Sequence, residues 1–308
     1  AALMSADASG NGSYAHRWLR RAVLLPYFWL LLFFLAPFLI ILKISVADPV
    51  IAQPPFTALL EWGAEGFRGI QATFENYAFL FQDGYYGIIY LSSLKMAAIG
   101  TLLCLLLGYP MAYFIARQAP ARRNILLLAV ILPFWISFLL RVYAWIGLLN
   151  NRGVINELLI WADVIDQPIQ MLYNDFAVYL GIVYSYLPFM ILPLYANLER
   201  HDYTLNEAAM DLGSKPWQVF KDVTLPLSVP GIIGGCLLVF IPAVGEFTIP
   251  ALLGGADTLM IGRVLWDEFF ISRDWPVASA VSVVLLLLLL APILWFQRIQ
   301  AREQEQGR

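Results

Sequence analysis

The sequence predicts an all-α, polytopic membrane protein with six transmembrane helices, and three observations carry that reading. Of its 308 residues, 60% are hydrophobic and only 13% charged, where a water-soluble domain carries about 25% charged residues. Six stretches are apolar over the roughly 20 residues that a helix needs to cross a hydrocarbon core about 30 Å thick. Finally, Lys and Arg are distributed very unevenly between alternate loops.

The first crossing is expected over Leu24–Leu42. It follows Arg17, Arg20 and Arg21, but it outruns the roughly 7–15 residues of a signal core and lacks a small-residue cleavage pattern, so it reads as a retained span. The others are Met96–Ile115, Ile125–Leu149, Phe176–Leu198, Val229–Leu252 and Val277–Phe296. The third encloses Arg141 and the fifth Glu246. Pro37, Pro110, Pro133, Pro188, Pro193, Pro242, Pro250 and Pro292 lie within spans and predict kinks in a packed bundle, where neighbours satisfy the freed carbonyls. The long loop Val46–Gly87, with Pro49, Pro54 and Pro55, is expected to hold short helices lying on the bundle.

Basic residues in short loops mark the cytoplasmic side. With the N-terminus inside, twelve fall there: Arg17, Arg20, Arg21, Arg117, Arg122, Arg123, Arg200, Lys215, Lys221, Arg298, Arg302 and Arg308. Only Arg68, Arg152, Arg263 and Arg273 fall outside. Both termini of this multi-pass chain are therefore expected on the cytoplasmic side. The organisation expected is a cytoplasmic segment 1–23, one transmembrane domain 24–297 containing a cytoplasmic loop 199–228, and a cytoplasmic tail 298–308. The outer loops carry thirteen carboxylates against those four arginines. That excess would concentrate cations near an entrance, and it equally suits a solvated acidic surface or a face for a basic partner.

Several function classes are excluded by absence. Cys104 and Cys236 sit in apolar runs, and His16 and His201 are far apart, so no metal cluster or disulfide framework is expected. No Gly-x-x-x-x-Gly-Lys-Ser/Thr loop occurs, so ATP chemistry would belong to a partner. No nucleophile–base set suggests an enzyme. Gly234-Gly235 and Gly254-Gly255 mark close backbone approach or turns.

The loop between the fourth and fifth spans reads as two short helices joined by a tight turn. Thr204 and Glu207 fit a capping box, while Ala208 and Ala209 favour helix and leave a narrow surface. Gly213 suits a left-handed helix end, Ser214 a second cap, and Pro216 a first turn. Such a helix is shaped to enter a groove on another protein. Its pattern, Glu207-Ala208-Ala209, Gly213, Val223 and Leu225-Pro226, resembles the signature of permease subunits of binding-protein-dependent ABC importers, with Val in place of the commonest Ile. The segments Arg123-Asn-Ile-Leu-Leu-Leu, Arg141-Val-Tyr-Ala-Trp145, Pro242-Ala-Val-Gly-Glu-Phe247, Ile249-Pro-Ala-Leu-Leu-Gly-Gly255 and Asp274-Trp-Pro-Val-Ala-Ser279 look like polyamine permeases, nearest to the first permease subunit of bacterial putrescine importers.

The resemblance implies a type I ABC importer permease fold and a translocation path shared with a second, homologous permease. It also implies two copies of an ATP-binding subunit, which would hold ATP and Mg, and a periplasmic polyamine-binding protein. Glu207, Ala208, Ala209, Gly213, Leu225 and Pro226 would then couple the chain to the ATPase. Putrescine is the first expected substrate and spermidine the second.

Glu246, costly in a bilayer, is expected to face the bundle interior. There it could receive a substrate ammonium, pair with Arg141 or Lys95, or bond backbone freed by Pro242. Arg141 is expected near the outer end of its span, snorkelling or paired with a carboxylate. Lys43 and Lys95 are expected as interfacial anchors. Trp135, Tyr143, Trp145, Tyr184 and Tyr186 offer ring faces to a cation, although packing and interfacial roles are commoner. The rival reading is an ion-gradient-driven secondary transporter of small organic cations, which would show an inverted repeat and broken helices; no repeat is visible. A membrane scaffold or sensor whose loop merely binds a partner is a further alternative.

Overall fold

The structure, a computed structural model, describes residues 24, 26–63, 66–82 and 84–306. The expectations placed on segment 1–23, including His16, Arg17, Arg20 and Arg21, and on Glu65, Asp83 and Arg308 lie outside the described residues.

The helices are α1 (Pro26–Ser45), α2 (Glu75–Gln82), α3 (Tyr85–Ala116), α4 (Pro120–Ile131), α5 (Phe138–Leu149), α6 (Val154–Trp161), α7 (Asp175–Leu198), α8 (Thr204–Asp211), α9 (Pro216–Val219), α10 (Val229–Val244), α11 (Thr248–Leu253), α12 (Ile261–Asp267) and α13 (Trp275–Gln306). Four of them, α1, α3, α7 and α13, are long and apolar enough to cross a membrane. Two bent pairs bring the crossings to six when each pair is counted once: Pro120–Trp135 with Phe138–Trp161, bent by 89°, and Pro216–Leu227 with Val229–Val244, bent by 63°.

Three expectations are corrected here. The third span is not one helix over Ile125–Leu149: a 3-10 turn over Leu132–Trp135 is followed by Ile136 and Ser137 in extended conformations (ψ 139° and 137°). Pro133 removes one amide donor from this turn. The fifth span stops at Val244, and its last residues form the separate helix α11. The long loop after α1 contributes one short helix, α2, together with a two-stranded antiparallel hairpin, β1 (Leu60–Gly63) and β2 (Gly66–Ile70), so the otherwise helical chain has a small sheet.

Contacts divide the chain into two compact units, Ala1–Phe79 with Ser272–Val284, and Leu80–Ile271 with Leu285–Arg308. In the first, α1 leaves Phe28, Trp29 and Phe33 more than half exposed, as expected of a helix whose solvent is lipid. Its C-terminal end is tied to α2, because Asn76 Nδ2 donates to the carbonyls of Ser45 (3.0 Å) and Ala47 (2.8 Å). Lys43 lies in the last turn of α1, as an anchor should. In the second unit α3, α7 and α10 pack together around Cys104, Ala112, Met190, Ile191, Leu194 and Val239. Met190 sits in a slot made by small residues: a Cβ on Gly108 or on Gly235 would come within 2.9 or 2.7 Å of its side chain. Without a hydrophobic drive between helices in lipid, such close van der Waals approach is what holds a bundle together. Lys95 is exposed and lies ten residues into α3, a 32-residue helix longer than the roughly 20 residues a crossing needs.

Candidate functional site

Two regions of the second unit carry chemistry. The first lies at the breaks after Trp135 in the third span and after Val244 in the fifth, where the helices lose their regular hydrogen bonds. Non-helical backbone at membrane depth is tolerated where it is buried in protein or lines a cavity. At the second break, Gly245–Phe247, the Glu246 side chain replaces the missing partners: its Oε1 accepts from the amides of Thr248 (2.9 Å) and Ile249 (3.3 Å). The Tyr186 hydroxyl of α7 donates to Oε2. Helix α12 backs this break so closely that a Cβ on Gly262 would lie 2.3 Å from the carbonyl oxygen of Gly245.

Both breaks border one cavity of about 660 Å³, whose wall includes Trp135, Ser137, Arg141, Ser185, Tyr186 and Glu246. Glu246 thus faces the interior as expected, yet it pairs with neither Arg141 nor Lys95: neither cation lies within 4.0 Å of a carboxylate oxygen among the described residues. Arg141 is also not a snorkelling residue. It lies in the first turn of α5, just after the first break, and is only 6% exposed. Its guanidinium lies 5.1, 5.7 and 6.0 Å from the ring centres of Phe134, Phe138 and Tyr184. Among the described residues its Nε and Nη1 have no hydrogen-bond acceptor, and Ser185 Oγ in the same wall has no partner. Trp145 does not line this cavity; it packs edge-on against Tyr184, ring centres 5.4 Å apart. Of the three residues singled out for a path, two therefore share the cavity and the third stands behind one of its aromatic neighbours. Tyr186 was among the rings expected to face a cation, but its bond to Glu246 and the place of Ser185 in the wall were not anticipated.

The second region is the loop after α7. Helix α8 spans Thr204–Asp211, and Gly213 adopts φ +87°, the left-handed turn expected of it. The caps differ from expectation. The Asp202 carboxylate, not a Thr204–Glu207 box, starts α8 by accepting the Thr204 amide at 3.0 Å. Bonds from the Thr204 hydroxyl and amide hold the Asp202 carboxyl below its ordinary pKa. Gln218 Oε1 accepts the Lys215 amide (2.8 Å) at the start of α9, so Ser214 is not its cap, while Pro216 takes the first turn as expected. From α9 the chain runs through a π-turn, Phe220–Thr224, to Leu227.

The hairpin is held to the bundle from beneath. Buried Asn206 donates to Thr224 Oγ1 (3.1 Å), and its Oδ1 lies 3.0 Å from His201 Nε2. Phe220 packs edge-on against Tyr109 and Tyr113 of α3. At the 63° bend, fully buried Ser228 bonds the Leu225 carbonyl (2.9 Å) and the Tyr109 hydroxyl (2.9 Å). Glu207, Ala208 and Gly213 lie on the exposed side and Ala209 is half-buried. Leu212 (89% exposed) and Trp217 (68%) stand out as apolar groups facing away from the core. Leu225 is half-buried and Pro226 exposed.

A helical membrane bundle with broken helices around a polar cavity is the architecture of a membrane transport protein. Residues 104–305 match the family described as the binding-protein-dependent transport system inner membrane component. The chain belongs to this family. It is 42% identical over 276 residues to the spermidine/putrescine transport system permease protein PotB of Haemophilus influenzae, covering 90% of this chain and 92% of that protein. It is 41% identical to the protein of the same name from Escherichia coli, covering 85% and 90%. Among solved structures it is similar to a bacterial alginate ABC transporter in complex with an alginate pentasaccharide-bound periplasmic protein, with a TM-score of 0.65, 20% identity, and coverage of 94% of this chain and 96% of that one. This likeness supports the ABC importer permease fold.

Proposed function

We propose that this chain is the permease subunit of an ATP-driven polyamine importer, with putrescine its first substrate and spermidine its second. The observation that carries the reading is the 41–42% identity to spermidine/putrescine permeases over 85–90% of the chain. A buried carboxylate in a cavity bordered by Trp135, Phe134 and Tyr186 supports it chemically, because an ammonium group is drawn both to carboxylates and to aromatic faces. Three donors already point at Glu246, leaving about one of its four lone-pair positions for cargo. A single remaining contact suits a site that must also release.

In this reading a second, homologous permease completes the path, two ATP-binding subunits hold ATP and Mg and perform all hydrolysis, and a periplasmic binding protein delivers polyamine. Both termini are cytoplasmic. The exposed hairpin bearing Glu207, Ala208, Ala209 and Gly213 docks on the ATP-binding subunit, and its motion passes through Leu225 and Pro226 to the bend at Ser228. An ion-gradient-driven carrier is the second reading, favoured only by the two broken helices. Proteoliposomes holding the full complex separate the two. Uptake of labelled putrescine should require ATP inside and loaded binding protein outside; uptake without nucleotide that follows an imposed ion gradient would refute the proposal.

A further inference from the structure

Arg141 is the feature of the cavity that polyamine import does not explain. Arg141, a residue only 6% exposed with no carboxylate within 4.0 Å of its guanidinium among the described residues, is an expensive group to keep in a membrane protein. Among the described residues two of its nitrogens lack acceptors, and the hydroxyl of Ser185 in the same wall has no partner. The rings of Phe134, Phe138 and Tyr184 hold it in place, which fixes the charge without neutralising it. Its field therefore falls on whatever occupies the cavity it shares with Glu246.

We infer that Arg141 is the release element of the transit site: a resident cation that opposes the cargo's ammonium groups and keeps binding at Glu246 weak enough for rapid discharge. The inference rests on the reading of the cargo as a polyamine. A lone carboxylate among aromatic faces would retain a dication, and it would be re-occupied by cargo already delivered to the cytoplasmic side. At an effective dielectric near 20, a fixed like charge on the order of 10 Å away opposes such binding by roughly tenfold. Conduction through any site requires this balance between entry and exit.

The test uses the complete complex in proteoliposomes. ATP-driven putrescine uptake is measured while putrescine on the cytoplasmic side is varied, for the wild type, Arg141→Gln, Arg141→Lys and the double variant Arg141→Gln/Glu246→Gln. In Arg141→Gln the maximal rate should fall several-fold, and cytoplasmic putrescine should inhibit at about a tenfold lower concentration. Arg141→Lys, which keeps the charge, should hold the inhibiting concentration near the wild-type value, and the double variant should return it towards that value. Arg141→Met, which keeps the stem among the rings, serves if the glutamine variant does not assemble. An unchanged inhibiting concentration in the single variants Arg141→Gln and Arg141→Met, whether or not uptake falls, overturns the inference and leaves Arg141 a structural prop. If the wild-type complex imports no polyamine at all, the functional reading fails first and the inference falls with it.

Discussion

Three donors converge on Glu246, so its substitution tests structure and transport together. Glu246→Gln keeps an acceptor for the Thr248 and Ile249 amides but removes the charge that strengthens both bonds. We expect assembly with a loss of about 1 kcal/mol of stability, and putrescine uptake reduced about tenfold or more; wild-type uptake would remove the residue from the path. Tyr186→Phe takes away the third donor and should cost a similar ~1 kcal/mol, read as a lower unfolding temperature of the purified complex in detergent. Asn206→Ala should be worse, at about 1–3 kcal/mol, because it leaves Thr224 and His201 without their partner in a buried setting; an unchanged unfolding temperature would show that the hairpin does not depend on this link. A charge enclosed in an apolar stretch is visible from sequence, so Glu246 and Arg141 were legible as interior residues. Their surroundings were not. Tyr186 and Glu246 lie 60 residues apart, and serines and tyrosines are too common in such spans for Ser185 or Tyr186 to stand out.

At the scale of elements, the loop after α7 was legible because its signals are local: a glycine for the positive φ, a proline for a first turn, and alanines for helix. The breaks in the third and fifth spans were hidden because hydropathy measures apolar content and is blind to backbone direction. Ile125–Leu149 is equally apolar whether it runs straight or turns by 89°. The caps were misassigned by one or two positions, since Asp202, Thr204 and Ser214 are all residues that favour such sites. Two consequences follow for the hairpin. Gly213→Val places a β-branched side chain at φ +87°, which costs about 1–2 kcal/mol. It should abolish the stimulation of ATP hydrolysis by loaded binding protein while leaving basal hydrolysis in place; full stimulation would contradict the docking role. Tyr109→Phe and Ser228→Ala each break the buried bond at the bend and should each destabilise by about 1 kcal/mol. The double variant should cost clearly less than their sum, because the partners share one interaction; strict additivity would show that the bond contributes nothing.

The whole molecule is read as a device that converts motion of an exposed hairpin into rearrangement around a polar cavity, with the helices α3, α7 and α10 between them. Bundle class and the membrane setting were legible from composition and from the lengths of the apolar runs, because a bilayer imposes both. The sidedness of the chain rests on the uneven distribution of Lys and Arg. The most direct test joins sidedness to coupling. A single cysteine at Leu212, 89% exposed at the tip of the hairpin, is introduced into a chain whose Cys104 and Cys236, both in spans, are replaced. In right-side-out vesicles a membrane-impermeant thiol reagent should leave it unlabelled, in inside-out vesicles it should label, and in the assembled complex it should cross-link to the ATP-binding subunit with a yield that changes when ATP is trapped. Labelling from the periplasmic face, or no cross-link in any nucleotide state, would contradict the account.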